Sequence, residues 1–373
     1  MRDSEPEGNS TAKVTVAEFF AGIGLARLGL EAAGFGVVWA NDFDRDKIAM
    51  YEGNFGEEDD HQPDSRDIAK IHGPDMPSGL SLAWASFPCI DLSLAGWRRG
   101  LEGAHSSTFW HFTRILDEMG AARPSVVALE NVVGLATSHE GKDLNAAVAE
   151  LNRLGYSVDV LTLDARRFVP QSRPRLFLIG ANASPEEDPG DSVLRPHWLR
   201  KPFDDPDLRT HRAKVPEPPP MLEGGLTLVA EDMEPGDSRW WDDVRTKSFM
   251  AELSLVNIAR VERLQRAGLT YRTAYRRTRQ GKPAWEIRPD DIAGCLRTAR
   301  GGSSKQAIVQ VKNGAIRVRW MTPLEYARLM GAGDFKLDGL RRNQALCGFG
   351  DAVCVPAVEW LAKNYLMPLL STR

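Results

Sequence analysis

In residues 14–181, short apolar runs alternate with longer amphipathic stretches, and that alternation leaves few folds open. The runs VTVAEFF, GVVWAND, LSLAWASF, SVVALENV, YSVDVLTLD and RLFLIGA read as strands, being short, apolar and bounded by turn residues. Between them, LARLGLEAAG, RDKIAMYEGNF, TFWHFTRILDEMGA and DLNAAVAELNRLG carry the apolar spacing of helices. Strands alternating with helices predict an α/β domain: a doubly wound, mostly parallel sheet covered on both faces. Ligands on such sheets bind beyond the carboxyl ends of the strands.

The character changes after residue 181. Residues 182–243 contain SPEEDPGD, EPPP and PGDSRWWDD, which predict an irregular segment separate from the sheet. A helical piece is expected near 249–268. The stretch 255–320 holds fifteen Arg and Lys against four Asp and Glu, a local excess of eleven positive charges in a chain of net charge −4. Such asymmetry suits a polyanion, and equally a solvated basic face balancing acid elsewhere. The helical pattern resumes in TPLEYARLMG, which opens on a capping-box pair, Thr322 and Glu325. VPAVEWLAKNYLMPLL reads as the last helix. The expected divisions are a disordered polar tail at 1–13 (rather than a signal peptide), an α/β domain at 14–181, an inserted smaller domain at 182–319, and a segment at 320–373 completing the first domain. No continuous apolar run approaches the roughly 20 residues of a membrane span. The four cysteines, Cys89, Cys295, Cys347 and Cys354, show neither CxxC pairs nor zinc spacing with His. That predicts a reducing compartment and no metal site.

Four short motifs sit at the ends of the expected strands. Phe20-Ala21-Gly22-Ile23-Gly24 follows the first strand and opens a helix, where glycines let a ligand approach bare backbone. Asp42 ends the second strand, twenty residues after Gly22, where a carboxylate can accept both hydroxyls of a ribose. The GxGxxxxG spacing differs from the dinucleotide GxGxxG, which argues against NAD, and a plain strand–helix turn fits the same residues. Phe87-Pro88-Cys89 follows the third strand, and a cysteine there is a candidate nucleophile facing the ligand crevice. A lone cysteine is more commonly a small buried apolar group. Glu130-Asn131-Val132 abuts the apolar strand SVVAL, where a carboxylate needs a partner, a catalytic task or a helix to cap. Gln171-Ser172-Arg173-Pro174-Arg175 precedes the last strand. Two arginines at i and i+2 of extended chain point the same way, toward an anion or a polar base edge, or into surface ion pairs.

In this order the motifs resemble those of the DNA (cytosine-5-)-methyltransferase family. That family runs FAGxG, an acid after the second strand, PC, ENV, QxRxR, a variable recognition region and a GN(S/A)V-type ending. The chain has FAGIG, Asp42, FPC, ENV, QSRPR, a variable region and Gly350-Asp351-Ala352-Val353, and TPLEYARLMG resembles the family's helix before the last motif. The resemblance spans about 14–181 and 290–370. It departs at Leu25 (often a second glycine), Phe43 (usually tryptophan), Ile90 (usually glutamine) and Asp351 (usually asparagine).

The resemblance implies an S-adenosylmethionine-dependent methyltransferase fold, with 14–181 and 320–373 catalytic and 182–319 a target recognition domain. It implies methyl transfer to carbon 5 of cytosine in a specific sequence of double-stranded DNA. Cys89 would add to carbon 6 and make carbon 5 enamine-like, while Glu130 meets N3 and Arg173 and Arg175 hold the base or its O2 and the adjoining backbone. Neither ring carbon is open to attack in a stacked duplex, so the target would be flipped out. No metal is needed. The donor would lie on Phe20, which stacks on adenine, with Gly22, Gly24, Asp42, Phe43, Asp67, Pro88, Asp351 and Val353. Arg276, Arg277, Arg279, Arg297, Arg300, Gly301 and Gly302 would meet DNA. A restriction–modification role is implied, with a monomer acting at the nucleoid in a prokaryotic cytoplasm, no membrane partner, and any cognate endonuclease acting separately. The alternatives are RNA cytosine methylation by the same catalytic domain, a non-catalytic family member, and a Rossmann oxidoreductase. The long insert favours DNA, intact Cys89 and Glu130 favour catalysis, and the glycine spacing disfavours the oxidoreductase.

Overall fold

The computed structural model describes residues 14–56, 61–87, 108–188, 190–266, 268–279, 281–298 and 305–371. Pro88, Cys89, Ile90, Arg300, Gly301 and Gly302 lie outside them, as does the side chain of Arg279. All six expected strands form: β1 (Val14–Phe19), β2 (Phe35–Asn41), β4 (Leu82–Ala85), β5 (Val126–Val132), β6 (Ser157–Asp164) and β7 (Pro174–Ala181). A short β3 (Gln62–Asp64), which no apolar run announces, joins them. The sheet order is β3-β2-β1-β4-β5-β7-β6. Its pairs are parallel except those of β7, which runs antiparallel to β5 and β6. The strand order reverses between β1 and β4, and such a switch point opens a crevice at the carboxyl ends.

The longer helices are α1 (Leu25–Ala32), α2 (Arg45–Phe55), α3 (Thr108–Glu118), α4 (Lys142–Arg153), α5 (Asp243–Ala251), α6 (Leu255–Gln265), α7 (Pro323–Leu329), α8 (Arg342–Asp351) and α9 (Val355–Leu361). Side chains alternate along each strand, so every strand of this sheet except β3 feeds two cores. Val16, Val37, Leu82, Trp84 and Val126 pack with α1, α8 and α9. Ala17, Phe19, Trp39, Ala83 and Val127 pack on the other face with α3 and α4. α1 crosses α9 closely because Gly29 carries no side chain: a Cβ there would stand 2.7 Å from Val358 and 2.8 Å from the Val355 carbonyl. Among the described residues, the run Arg342–Ser371 is long and apolar enough to cross a membrane by composition, yet 67% of its apolar window is buried in the protein.

Residues 182–213 are not separate from the sheet, contrary to expectation. The Val158 N–H donates to the Arg209 carbonyl, His211 N–H to Val158, and Thr162 N–H to Leu194, so the segment runs along the edge strand β6. Covering an edge needs main-chain partners rather than an apolar pattern, so proline-rich, acidic sequence conceals the role. The basic stretch forms more elements than the one expected helical piece. The helical piece near 249–268 divides into α5 and α6 at Ser254, whose hydroxyl caps α6. Four antiparallel strands follow: β8 (Thr270–Arg279), β9 (Lys282–Ile287), β10 (Gln306–Lys312) and β11 (Ala315–Trp320), in the order β11-β10-β8-β9. They close over a third core that includes Phe249, Val261, Trp285, Ile287, Val309 and Val318. β8 reads TYRTAYRRTR, and its arginines mask the strand pattern.

Candidate active site

β1 ends at the switch point, and the chain turns into α1 through three left-handed residues: Phe20 (φ 57°), Gly22 (φ 60°) and Gly24 (φ 83°). Glycine adopts this backbone freely, whereas Phe20 holds strain. The turn is pinned from β2. The Ala21 N–H donates to the Asn41 carbonyl at 2.8 Å, and the Gly22 N–H to Asp42 Oδ2 at 2.9 Å. Asp42 Oδ1 accepts from the Asp44 N–H at 2.9 Å. Burial raises the Asp42 carboxyl above its usual range, against the pull of Lys47. Two depressions flank this turn. One, of about 60 Å³, is lined by Gly22, Asp42, Tyr51, Asp64 and Ser65 among others. The second, of about 30 Å³, is lined by Glu18, Phe20, Gly22, Lys47, Ser86, Asp351 and Val353 among others.

The structure thus gathers Phe20, Gly22, Asp42, Asp351 and Val353, with Phe20 in the second depression and Asp42 in the first. Gly24 lines neither: a Cβ there would stand 2.2 Å from the Phe55 ring, so its smallness serves packing on α2. Phe43 is 66% exposed beside Asp42. Asp67 also lies outside both depressions and caps the turn at Ile68–Lys70, accepting from the Ala69 N–H at 2.9 Å. Asp64, which sequence reasoning passed over, lines the first depression; the Asn41 amide fixes it by donating to the Asp64 and Arg66 carbonyls at 2.8 and 2.9 Å. Glu18 was missed as well. It is 1% exposed, its Oε2 has no hydrogen-bond partner, and burial pushes its carboxyl up to about 8 against the attraction of Arg27. An acid inside the apolar run VTVAEFF was the available signal.

The other motifs converge at the ends of β4, β5 and β7. Arg175 Nε lies 2.8 Å from Glu130 Oε1. Burial raises the Glu130 carboxyl, opposed by Arg175 and Arg173. The Asn131 amide donates to the Phe87 carbonyl at 3.1 Å, tying ENV to the residue that leads into Pro88 and Cys89. Arg173 departs from the expectation that both arginines hold the base. It is 2% exposed, and its guanidinium donates to the carbonyls of Leu296 (2.8 Å), Gly350 (3.2 Å) and Ala352. It clamps backbone around Asp351. Gln171 works alongside, donating to the Leu329 carbonyl at 2.7 Å and accepting from the Leu296 N–H at 3.0 Å.

A cleft of about 530 Å³ lies between the two sheets, lined by Ser172, Pro174, Tyr275, Arg276, Arg277, Arg288, Cys295, Arg297 and Gln306 among others. Arg173 and Arg175 lie 3.5 and 4.0 Å from Cys295 Sγ. Burial alone would raise that thiol, but the two arginines outweigh it and hold it below its usual range. Arg276 and Arg277 are not bare cations: Arg276 pairs with Glu252 at 2.8 Å and Arg277 with Glu286 at 3.5 Å.

The family profile of C-5 cytosine-specific DNA methylases matches residues 14–366. The chain belongs to that family. It is a DNA (cytosine-5-)-methyltransferase, with S-adenosylmethionine as methyl donor. The type II methyltransferase M.HhaI of Haemophilus parahaemolyticus is 32% identical over 348 residues, covering 93% of this chain and 92% of that protein. M.Bsp6I of Bacillus sp. (strain RFL6) is 27% identical over 364 residues, covering 95% and 99%. Among solved structures, the S. pombe Dnmt2 methyltransferase matches with a TM-score of 0.62 at 16% identity, covering 96% of this chain and 99% of that one. A putative DNA modification methyltransferase encoded within an E. coli prophage matches with a TM-score of 0.57 at 18% identity, covering 96% and 100%. At these identities the structures show the fold, a methyltransferase sheet with a smaller domain. Against this background neither the oxidoreductase nor the RNA reading is favoured.

The methyltransferase's own residues fit S-adenosylmethionine. Its sulfonium and ammonium groups are cations, and the unpartnered Glu18 Oε2 is a buried acceptor in the second depression. Its ribose is a diol, and Asp42 stands in the first depression with its carboxylate already oriented by two backbone N–H groups. Gly22 lies between the two, where no Cβ obstructs a ligand spanning both.

Proposed function

We propose that Cys89 is the nucleophile and Glu130 the acid at N3 in methylation of cytosine within one short sequence of duplex DNA. The observation that carries this reading is the convergence of three motifs, through the Asn131–Phe87 hydrogen bond at 3.1 Å and the Glu130–Arg175 pair at 2.8 Å. The Cys89 thiolate adds to carbon 6 of the flipped base, and the displaced electrons run through carbon 5 and the ring toward N3. Glu130, raised by burial, delivers a proton or a strong hydrogen bond there. Arg175 sits beside it as the cation for the cytosine O2. When bound, S-adenosylmethionine supplies an electrophilic methyl group. Loss of the carbon 5 proton and departure of Cys89 Sγ then restore the aromatic ring. Arg173 acts through others, holding the backbone around Asp351 that walls the donor cleft. Asp42 takes the ribose hydroxyls, and Phe20 and the exposed Phe43 contact the adenine.

In this reading residues 14–181 and 320–373 form the catalytic domain and the small sheet, whose last strand β11 ends at Trp320, reads the DNA. The segment along β6 belongs with the catalytic sheet. Relatives named as type II methyltransferases support a restriction–modification role beside a separate endonuclease, for a monomer acting at the nucleoid in the cytoplasm. The test uses duplexes with 5-fluorocytosine at the target, located by bisulfite sequencing of DNA from expressing cells. Fluorine blocks the final elimination, so wild type should form a stable covalent adduct and Cys89→Ala none. Turnover by Cys89→Ala within about tenfold of wild type would remove the nucleophile assignment. Methyl incorporation into transfer RNA at the rate seen with duplex DNA would overturn the substrate.

A further inference from the structure

We propose that Lys47 binds the carboxylate of the methionine end of S-adenosylmethionine, held in position by Asp351. This rests on reading the Glu18–Val353 depression as part of the donor site. The donor's amino-acid end is a zwitterion beside a sulfonium, so its pocket must meet both signs of charge. Glu18 supplies the negative side with an unpartnered buried oxygen. Among the described residues, the cationic side chain that lines the same depression is Lys47, in the first turn of α2.

Lys47 is fixed there by an ion pair of 2.9 Å from its Nζ to Asp351 Oδ2. Asp351 stands where the family pattern has asparagine, and an unbalanced carboxylate at that place would repel a carboxylate-bearing ligand. Lys47 neutralises it. An ammonium has three N–H donors, so one bond to Asp351 leaves capacity for a second anion. Burial works against the Lys47 charge, but Asp351 and Asp42 outweigh it and keep the ammonium protonated above its usual range. Asp351 is held from its other oxygen by the Thr298 hydroxyl, so the pair is anchored in the cleft wall.

The competing explanation is a clamp between α2 and α8. That joint is already made next door, where Arg341 pairs with Asp46 at 2.7 Å and the Gln344 amide donates to the Asp46 carbonyl at 3.1 Å. Lys47 instead faces the cavity.

Calorimetric binding of S-adenosylmethionine and of its decarboxylated analogue, to wild type, Lys47→Met and Lys47→Arg, separates the two roles. A charge-assisted contact predicts that Lys47→Met weakens S-adenosylmethionine binding by about tenfold or more, while the decarboxylated analogue stays within about twofold. Lys47→Arg should restore most of the preference for the carboxylate. Equal weakening of both ligands would make Lys47 a clamp and overturn the proposal. Failure of wild type to bind S-adenosylmethionine would instead strike the reading of the cleft itself. Circular dichroism and the thermal midpoint of each variant establish that it is folded, so that equal weakening is read as loss of the clamp and not of the fold.

Discussion

Glu18 shows how a single buried residue can tie cofactor binding to pH. Its carboxyl sits at about 8 because burial disfavours the charge, so in the free protein at neutral pH it is mostly protonated. A cationic ligand against Oε2 favours the ionised form. S-adenosylmethionine binding near pH 7 should therefore release most of a proton. Repeating the calorimetry in buffers of different ionisation enthalpy measures it; release should vanish above about pH 9 and in Glu18→Gln. Identical enthalpies in all buffers would place the donor's cations elsewhere. Without ligand the sign is fixed as well: a carboxyl raised in the folded state lends relative stability below its ordinary value of 4.5, and this is lost as pH rises through about 8. Sequence reasoning reached Asp42 and Glu130 because each ends an apolar strand, where a charge is conspicuous. It passed over Glu18 and Lys47, because facing a cavity depends on how strands and helices meet, which spacing along the chain does not contain. The same limit applied to Arg173 and Arg175, which share a motif yet serve a backbone clamp and a carboxylate partner.

Elements were legible where local chemistry defines them. The capping box at Thr322 and Glu325 forms at the start of α7, with the Thr322 N–H donating to Glu325 Oε2 at 2.9 Å and the Glu325 N–H to Thr322 Oγ1 at 3.2 Å. What its spacing could not reveal is that Glu325 also pairs with Arg319 at 2.5 Å, both side chains 0% exposed. Glu325→Ala should therefore cost far more than a cap. Leaving a buried arginine unpaired costs about 3–5 kcal/mol, against about 1 kcal/mol for a lost N-cap hydroxyl in Thr322→Ala. Denaturant midpoints compare the two, and equal losses would mean that Arg319 finds another partner. The β6 edge depends on long-range polar contacts that sequence could not pair. Tyr365 donates to Asp159 Oδ2 at 2.7 Å, so His211 Nε2 donates to the Tyr365 oxygen at 3.1 Å and Nδ1 accepts from Ser157 at 3.0 Å. This arrangement needs a neutral imidazole. Burial lowers the His211 pKa in the folded state despite Asp159, so its stabilisation is present above 6.5 and lost as the pH falls below that. Equilibrium unfolding at pH 5 and 7.5 should show this loss in wild type and less of it in His211→Gln.

At the scale of the whole molecule, two sheets face each other across a cleft, and the question is how a chain of net charge −4 holds a polyanion there. The count of eleven surplus positive charges in 255–320 overstates what DNA would meet. Arg272 lies 3.4 Å from Asp291, Arg276 2.8 Å from Glu252, Arg277 3.5 Å from Glu286 and Arg288 2.8 Å from Asp290. Composition shows the arginines, but only the fold shows that Glu252, which precedes α6, reaches across to β8. A phosphate arriving at Arg276 or Arg277 must compete with a carboxylate already in place. Arg276 and Arg277 are themselves 42% and 50% exposed, so these two pairs are screened by water and exchangeable, and the acid tempers binding without preventing it. Each phosphate contact contributes roughly 0.9 to the slope of log affinity against log salt. Replacing Arg276 and Arg277 together by Gln should flatten that slope by less than the roughly 1.8 of two unpaired contacts. Replacing Glu252 and Glu286 by Gln should do the reverse, tightening binding to unrelated duplexes and steepening the slope while leaving S-adenosylmethionine affinity unchanged. Titrating one cognate and one unrelated duplex at several salt concentrations tests both. If the glutamate replacements left affinity for both duplexes unaltered, these arginines would not touch phosphate. If only the cognate duplex responded, the arginines would read base edges, and the acids would serve to orient them rather than to restrain them.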